Sequence, residues 1–233
     1  MDRERMVRAA ARTQSSWLFA TGRAAGGEVA ESGGLRWVAD GAGEVAVPFP
    51  PPLSAAGLDA LLAWCDERAV ARIGVWASGL EDLGVLSKSL LARGFDHGWQ
   101  PHWMAIAAAD LPDAGPDPRV EVTAAIPEYD AHGRALLRLT DGPFWHAVAR
   151  VDGAFAGRAW SHRFDDVAGL YDVDVWPRWR RRGLGRALTV AVARAAGAPW
   201  VVLNATGEGE ALYRALGFRS VGVGETWWWH RPA

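Results

Sequence analysis

The chain has 233 residues, half of them hydrophobic and 22% charged, which suits one large or two small packed domains and excludes a broadly disordered protein. The 25 basic and 27 acidic residues leave a net charge of −2, so the charge balance does not favour binding to nucleic acid or to an anionic membrane. The single cysteine, Cys65, excludes an internal disulfide and a multi-cysteine zinc site, and it is typical of a reducing, cytoplasmic setting.

The N-terminal half is predicted to combine helices and strands. Its first segment is an Arg-rich helix that mixes both charge signs and lacks an apolar core, unlike a secretory signal. No part of the chain approaches the roughly 18 uninterrupted apolar residues of a membrane span. Further elements are predicted as strands at 28–31, 35–39, 44–47, 73–76 and 103–107, and as helices at 53–69 and 80–93.

A composition shift separates the two halves. Residues 108–119, AADLPDAGPDPR, are rich in Pro, Asp and Gly, which continue neither a helix nor a central strand. We therefore expect a first domain at 1–110, a linker at 111–119 and a second domain at 120–233.

The C-terminal half predicts alternating elements. Strands are predicted at 121–124, 144–151, 154–162, 169–175, 200–204, 218–222 and 226–230, and helices at 127–139, 183–196 and 208–216. Asp152-Gly153 is a hairpin turn signal, and the last two strands are expected to pair with each other. The pattern predicts an α/β fold of the layered α+β kind, with a mixed central sheet flanked by helices.

The two halves end alike. LLARGF at 90–95 and YRALGF at 213–218 each place Gly-Phe after a helix and before a strand. This indicates an internal repeat of about 110 residues, the size of a small domain. Chance recurrence of a helix, a glycine and a strand is the alternative.

The segment with the clearest chemistry is residues 171–197. A strand ends at Val175, an Arg-rich loop follows, and Gly183-Leu184-Gly185 leads into an apolar helix. Glycines at the start of a helix let a ligand approach the unpaired first-turn N–H groups, which favour phosphate. The segment contains neither GxGxxG nor GxxxxGK[ST], so it is not a dinucleotide fingerprint or a P-loop.

The residues Arg180-Arg181-Arg182-Gly183-Leu184-Gly185 match the [QR]-x-x-G-x-[GA] motif, and the segment resembles the GNAT superfamily of acetyl-CoA-dependent N-acyltransferases. Val175-Trp176-Pro177 is similar to the family's V-x-P lead-in, and 213–218 to its Y-x-x-x-G-F ending. The N-terminal half has no R-x-x-G-x-G, and its 47–52 segment offers no amide nest. The resemblance thus implies a tandem GNAT fold whose first domain is degenerate, lacks a CoA site and acts as a scaffold.

The resemblance also implies how acetyl-CoA is held. The pantetheine arm would bond the strand backbone at Val173, Asp174 and Val175, and the pyrophosphate would bond the loop amides of 181–186. The implied cofactor-binding residues are Val173, Asp174, Val175, Arg180, Arg181, Arg182, Gly183, Leu184, Gly185, Arg186, Asn204, Thr206 and Tyr213. No metal is expected. Thr206 stands where many members have Asn, and a Thr there can still form a hydrogen bond or cap the helix.

Three residues are the candidates for catalysis. By resemblance, Tyr213 would protonate the leaving thiolate. The strand before the last helix lacks the Glu that members often carry, so Asp172 and Asp174 are the candidate bases. Period-2 alternation places both on one face, opposite Tyr171, Val173 and Val175. They could instead bind a cationic substrate or be solvated acids, and ordered water could replace a base; His146 and His162 are weaker candidates.

The 14 tryptophans are far above ordinary usage. Trp145, Trp160, Trp227 and Trp229 are candidates for an aromatic acceptor site, because relatives place their last strand beside the acceptor cleft. Core packing is the alternative for most of them.

These observations predict transfer of an acetyl group to a primary amine of a small molecule by direct attack in a ternary complex. Acetylation of a protein or peptide N-terminus, and a non-catalytic CoA-binding regulatory module, are the alternatives. The expected partners are a small-molecule amine, with no nucleic acid and no membrane, and the chain is expected to be a monomer or homodimer.

Overall fold

The computed structural model describes residues 2–41, 43–113 and 115–232, with every side chain among them except that of Asp141. The helices are α1 (Arg3–Ala24), α2 (Ala55–Glu67), α3 (Leu83–Leu91), α4 (Ala131–Leu137), α5 (Leu184–Ala196) and α6 (Glu210–Ala215). The strands are β1 (Val29–Ser32), β2 (Leu35–Ala39), β3 (Glu44–Pro48), β4 (Arg72–Ala77), β5 (Asp96–His97), β6 (His102–Ala107), β7 (Val120–Val122), β8 (Phe144–Val151), β9 (Ala154–Phe164), β10 (Val167–Val175), β11 (Trp200–Ala205), β12 (Arg219–Val223) and β13 (Glu225–His230).

The chain forms two compact units whose limits differ from the predicted division at residue 110. The first unit runs up to Pro101 and includes the residues from Gly222 onward, and the second is His102–Val221. The predicted linker at 111–119 lies inside the second unit, and its position 114 is outside the described residues. No helix in the described parts of the chain is both long and apolar enough to cross a membrane.

Each unit contains one mixed sheet. The strand order is β1-β2-β3-β4-β13-β5 in the first unit and β12-β6-β11-β10-β9-β8-β7 in the second. The mixed sheets and their helices confirm the predicted fold class. In the first unit α2 covers a core that includes the fully buried Leu58, Leu61 and Cys65.

The prediction that the last two strands pair with each other is wrong. β13 pairs with β4 and β5 in the first unit, whereas β12 neighbours β6 in the second. β6 in turn pairs antiparallel with β11. Each half thus supplies the strand that lies second from the edge in the other half's sheet. A strand's alternating pattern specifies which of its faces is buried and leaves its partner undefined.

The two halves repeat the same order of elements. β3, α2, β4 and α3 of the first unit correspond to β10, α5, β11 and α6 of the second, and each series ends in Gly-Phe. The Phe95 N–H donates to the Leu90 carbonyl at 3.2 Å, and the Phe218 N–H donates to the Tyr213 carbonyl at 3.0 Å. The equivalent bonds make Leu90 the counterpart of Tyr213.

The helix α5 packs on one face of the second sheet. Its Leu184, Leu188 and Val192 are at most 1% exposed, and the Ser161 hydroxyl of β9 donates to the Val192 carbonyl at 2.8 Å. Ser161 therefore faces α5, and the alternation of β9 turns Arg158, Trp160 and His162 to the opposite face. The acid pair discussed below lies on that opposite face.

Candidate active site

The strands β10 and β11 pair over only part of their length. The parallel ladder joins Val167–Gly169 to Trp200–Val202 and ends there, although β10 continues to Val175. On its other edge β10 stays paired with β9 as far as Val175. The outer part of β10 thus has a backbone edge that diverges from β11, which provides a slot where an extended ligand can form strand-like bonds.

A β-bulge shapes the end of β10. The register with β9 shifts between Tyr171 and Asp174, and Asp172 has a φ of 48°. Tyr171 lies opposite Trp160, and Asp174 lies opposite Arg158, two residues apart on β9. Tyr171 therefore shares a face with Asp174, contrary to the simple alternation, because a bulge adds residues to one strand.

The first turn of α5 is open at its N-terminus. Gly183 precedes it with a φ of 82°, a conformation that favours glycine, and no side chain within the described ranges caps this end. The first turn contains no acidic residue. Leu184 anchors the turn in the core, and a Cβ on Gly185 would lie 3.2 Å from Leu212, which holds α6 against α5. The result is a concave set of N–H groups at the positive end of the helix dipole.

The arginines of the loop differ in their contacts. Arg180 donates to the Val175 carbonyl at 3.1 Å and pairs with Glu208 at 2.9 Å, so it ties the end of β10 to the segment before α6. Arg182 lies 4.9 Å from the Trp179 ring. Arg181 and Arg186 are exposed. Arg180 is thus engaged within the protein, which leaves the other loop arginines for an anion.

Arg158 lies between the two candidate bases. Its Nη2 is 3.9 Å from Asp172 Oδ2, and its Nε is 3.7 Å from Asp174 Oδ2. Both carboxylate side chains are about half exposed, at 48% and 52%. Partial desolvation raises the pKa of Asp172, Arg158 opposes that shift, and Asp174 adds to it. One guanidinium against two carboxylates leaves this cluster with a net negative charge.

A hydrogen-bonded pair lies on the same face. The Tyr129 hydroxyl is 2.8 Å from His146 Nε2, and the His146 ring lies 4.3 Å from the Trp160 ring. Burial lowers the pKa of His146 to about 4, and burial also lowers the pKa of His162. Both imidazoles are therefore neutral near pH 7.

Tyr213 of α6 lies in the core that α5 and α6 share. It is 9% exposed, and its ring meets Phe218 edge-on at 5.7 Å. Burial, with a smaller effect of the Asp174 charge, raises the pKa of Tyr213 to about 12. The phenol thus keeps its proton throughout the neutral range.

Comparison with known proteins agrees with this geometry. Residues 141–220 match the model of the acetyltransferase (GNAT) domain family. The second unit contains a GNAT domain. The chain is similar to mycothiol acetyltransferase of Nocardiopsis dassonvillei, at 43% identity over 32% of this chain and 27% of that protein. The chain therefore spans well under half the length of this relative.

Solved structures extend the likeness to the whole chain. A GCN5-related N-acetyltransferase from Kribbella flavida superposes with a TM-score of 0.64 at 17% identity, covering 96% of both chains. A tandem GNAT protein from the clavulanic acid biosynthesis pathway gives a TM-score of 0.57 at 19% identity, covering 88% of this chain and 82% of that one. At these identities the likeness establishes the fold, and it is that of a tandem GNAT protein.

The remaining cofactor candidates lie on β11 and just beyond it. Asn204 is half-buried on β11, opposite Trp103 of β6. The Thr206 hydroxyl accepts a hydrogen bond from the Gly209 N–H at 3.2 Å, so it supports the turn that starts α6 of the GNAT domain.

The four candidate acceptor tryptophans are divided between the two units. Trp145 packs against Ala168, Ala196 and Ala198 on the α5 face, and Trp160 is 1% exposed on the opposite face. Trp227 and Trp229 belong to the first unit, where Trp227 is 4% exposed and Trp229 packs against the same core. Both lie on β13, which pairs with β4 of the first sheet and not with β12 as the sequence predicted.

A further aromatic pair lies in the second unit, and of its two members the sequence motif points only to Trp176, in the Val175-Trp176-Pro177 lead-in. The Phe155 and Trp176 rings meet edge-on at 5.5 Å, and Phe155 also contacts Tyr129 at 6.0 Å. Arg119 is a further missed residue, since its Nη2 lies 4.0 Å from where a Gly183 side chain would begin. Arg119 is the last residue of the Pro-rich segment 108–119. Nothing in the sequence of this predicted linker indicates that Arg119 lies close to Gly183.

Proposed function

We propose that the second unit transfers the acetyl group of acetyl-CoA to a primary amine of a small molecule by direct attack in a ternary complex. The observation that carries the proposal is the divergence of β10 from β11 beyond Gly169, which leads to the uncapped N-terminus of α5. A slot followed by a cluster of N–H groups suits an extended amide chain that ends in phosphates.

The residues present fit this cosubstrate. The backbone of Val173 to Val175 would hold the pantetheine arm, and the N–H groups of residues 181–186 would hold the pyrophosphate. The space beside Gly183 is open, with no atom of the described residues nearer than 4.0 Å to a Cβ placed there. When bound, acetyl-CoA supplies an activated acyl group as a thioester.

The acceptor amine would bind at the acid pair. The cluster of Arg158, Asp172 and Asp174 has a net negative charge, which attracts the ammonium form of an amine. An ammonium with a pKa near 10 must lose a proton before it can attack. Asp172, whose pKa is raised, is the better base of the two. Phe155 and Trp176, whose rings meet edge-on, would provide apolar surface for the acceptor.

Tyr213 would act as hydrogen-bond donor to the leaving sulfur. Its pKa of about 12 lies above that of a thiol, so it holds the proton on its Oη until charge develops on the sulfur. Cys65 has no part in the proposal, because it is buried in the first unit and burial raises the pKa of its thiol to about 12.

The first unit is proposed to bind no CoA. Its β3 and β4 stay paired from Glu44–Arg72 to Pro48–Trp76, and the Phe49 N–H continues the ladder to the Trp76 carbonyl at 2.8 Å. The hydroxyl of Ser54 caps α2 by accepting from the Gly57 N–H at 3.0 Å. The described part of the first unit thus offers neither a slot between β3 and β4 nor an uncapped end of α2.

Thermal unfolding tests the cosubstrate site. Acetyl-CoA should raise the melting temperature, because a ligand that binds only the folded state stabilises it. Gly183→Glu should abolish this shift by filling the space beside the N–H groups with a negative charge. Gly153→Glu is the matched control, since Gly153 also has a positive φ, 76°, and open space around it. A shift that persists in Gly183→Glu would contradict the placement of the phosphates.

Turnover and stoichiometry test the rest. Thiol release from acetyl-CoA should depend on a small amine in a panel of aliphatic, aromatic and sugar amines and amino acids, and calorimetry should give one CoA per chain. Turnover with peptide N-termini alone would favour the peptide acetyltransferase. CoA binding without turnover on any amine would favour a regulatory module. Two CoA per chain would refute the proposal that the first unit binds no CoA.

A further inference from the structure

A cavity of about 840 Å³ opens beside the first turns of α5 in the second unit. One wall is the segment from Pro116 to Val122, and the other is the side of α5 that carries Gly183, Ala187 and Val190. The size falls in the range of pockets that hold nucleotide-sized ligands. The cavity adjoins residues 181–186, here called the phosphate loop because they form the proposed pyrophosphate site. Gly183 and Arg186 belong both to this loop and to the lining of the cavity.

The charges of the cavity suit an anion with a flat apolar body. Its lining carries three arginines and two acids, a net charge of one positive: Arg119, Arg186 and Arg194, with Asp117 and Glu121. Small apolar side chains, Ala187, Val190 and Ala191, form the middle of the α5 wall.

Arg119 is fixed beside the phosphate loop. Asp117 binds its Nε at 2.9 Å and its Nη2 at 2.7 Å, so the guanidinium is oriented before any ligand arrives. Arg194 lies in the last turn of α5, at the end away from Gly183, where it donates to the Pro112 carbonyl at 2.8 Å. Arg119 is therefore the oriented cation nearest to Gly183.

We propose that this cavity holds the adenosine end of CoA, with the purine on the Ala187 and Val190 wall and the 3′-phosphate at Arg119. The inference rests on the proposed function and deepens it. The pyrophosphate at the α5 N–H groups would leave the adenosine at the mouth of the cavity. A phosphate at a fixed guanidinium forms charge-assisted hydrogen bonds, which are stronger than neutral ones. The residues of the predicted linker thus select the cosubstrate.

The first test compares CoA with 3′-dephospho-CoA by titration calorimetry. The wild type should bind CoA about 10- to 100-fold more tightly, the range of one or two hydrogen bonds to a charged group. Arg119→Ala should reduce this ratio to about 2-fold or less and change the affinity for 3′-dephospho-CoA little. Arg219→Ala, an exposed arginine on β12 outside the cavity, is the control and should keep the wild-type ratio.

The second test fills the cavity. Ala187→Phe should weaken acetyl-CoA about 10-fold or more, while S-acetyl-4′-phosphopantetheine, which lacks the adenosine, should bind as it does to the wild type. Equal weakening of both donors would indicate damage to the phosphate loop and would overturn the assignment of the cavity.

The outcomes separate the inference from the proposed function. If the wild type binds CoA but does not discriminate against 3′-dephospho-CoA, or Arg119→Ala keeps the discrimination, the inference fails and the proposed function stands. If the wild type binds neither CoA nor acetyl-CoA, both fail.

Discussion

The ionisable side chains of the second unit differ in what sets their charge. Tyr213 and His146 are held neutral by burial, whereas Asp172 and Asp174 are half exposed and share Arg158. The sequence alone identified Asp172, Asp174 and Tyr213 as candidate catalytic residues. Arg158 of β9 could not be identified in this way, because only the register between β9 and β10 places it opposite Asp174. The long-range pairing of strands therefore creates the acid cluster.

Tyr213→Phe isolates the phenol. The variant keeps the ring that packs on Phe218, so acetyl-CoA affinity and the melting temperature should change little. Loss of the donor should lower kcat about 100-fold, as for a typical general acid. Steady-state kinetics with the best amine and calorimetry with acetyl-CoA measure the two effects. An unchanged kcat would remove Tyr213 from the mechanism.

Asp172→Asn tests the raised pKa through stability. When the folded-state pKa of a carboxyl is raised, the folded protein binds more protons than the unfolded chain between the two pKa values, so stability falls as pH rises there. The variant should thus melt higher than the wild type near pH 7, and the difference should shrink as pH falls towards the unfolded value of about 3.9. Melting curves from pH 3.5 to 8 measure this, with Asp166→Asn in an exposed turn as control.

Activity provides a second readout of Asp172. We expect kcat/KM of Asp172→Asn to fall and the acid limb of its pH profile to change, because the variant lacks the carboxyl whose pKa is raised. A variant as active as the wild type over the whole pH range would favour ordered water as the base.

At the scale of elements, the sequence predicted the bounds of those strands and helices that are set by a turn or a helix start within a few residues. The Asp152-Gly153 turn and the Gly183 start of α5 predicted β8, β9 and α5 to within two residues. The bulge in β10 and the divergence from β11 depend on neighbouring strands and have no local signal. Helix caps depend on residues next to the helix start. Ser54 caps α2, whereas Gly183 at the same position before α5 has no side chain that could cap it.

Ser54→Ala tests the cap of α2. The Ser54 hydroxyl accepts from the Gly57 N–H and donates to the Gly33 carbonyl at 3.1 Å, and the loss of an N-cap costs about 1 kcal/mol of stability. Urea unfolding should shift to lower concentration, with unchanged affinity for acetyl-CoA. Ser87→Ala, on the exposed surface of α3, is the control. Weakened acetyl-CoA binding in Ser54→Ala alone would link the first unit to the cosubstrate.

At the scale of the whole molecule, the exchange of β6 and β13 joins the two halves. The similar endings of the halves predicted a repeat, and the structure repeats their elements in the same order. The exchange could not be predicted, because β13 and β6 each follow Gly-Phe and have apolar faces that suit either sheet. It makes the predicted domain at 120–233 an incomplete unit, since that segment lacks β6 and retains β13 without its partner β4.

Two fragments, one with β13 and without β6 and the other with β6 and without β13, test the strand exchange. Residues 111–233 would leave a gap between β11 and β12 and would expose the tryptophans of β13, so this fragment should aggregate or bind a hydrophobic dye. Residues 102–223 retain every strand of the second sheet, including all of β12, and omit β13, so this fragment should stay monodisperse and show the acetyl-CoA melting shift. Size-exclusion chromatography and thermal unfolding distinguish them. If 111–233 is the better folded of the two, the strand exchange is wrong, and β13 pairs within its own half as its sequence position first suggested.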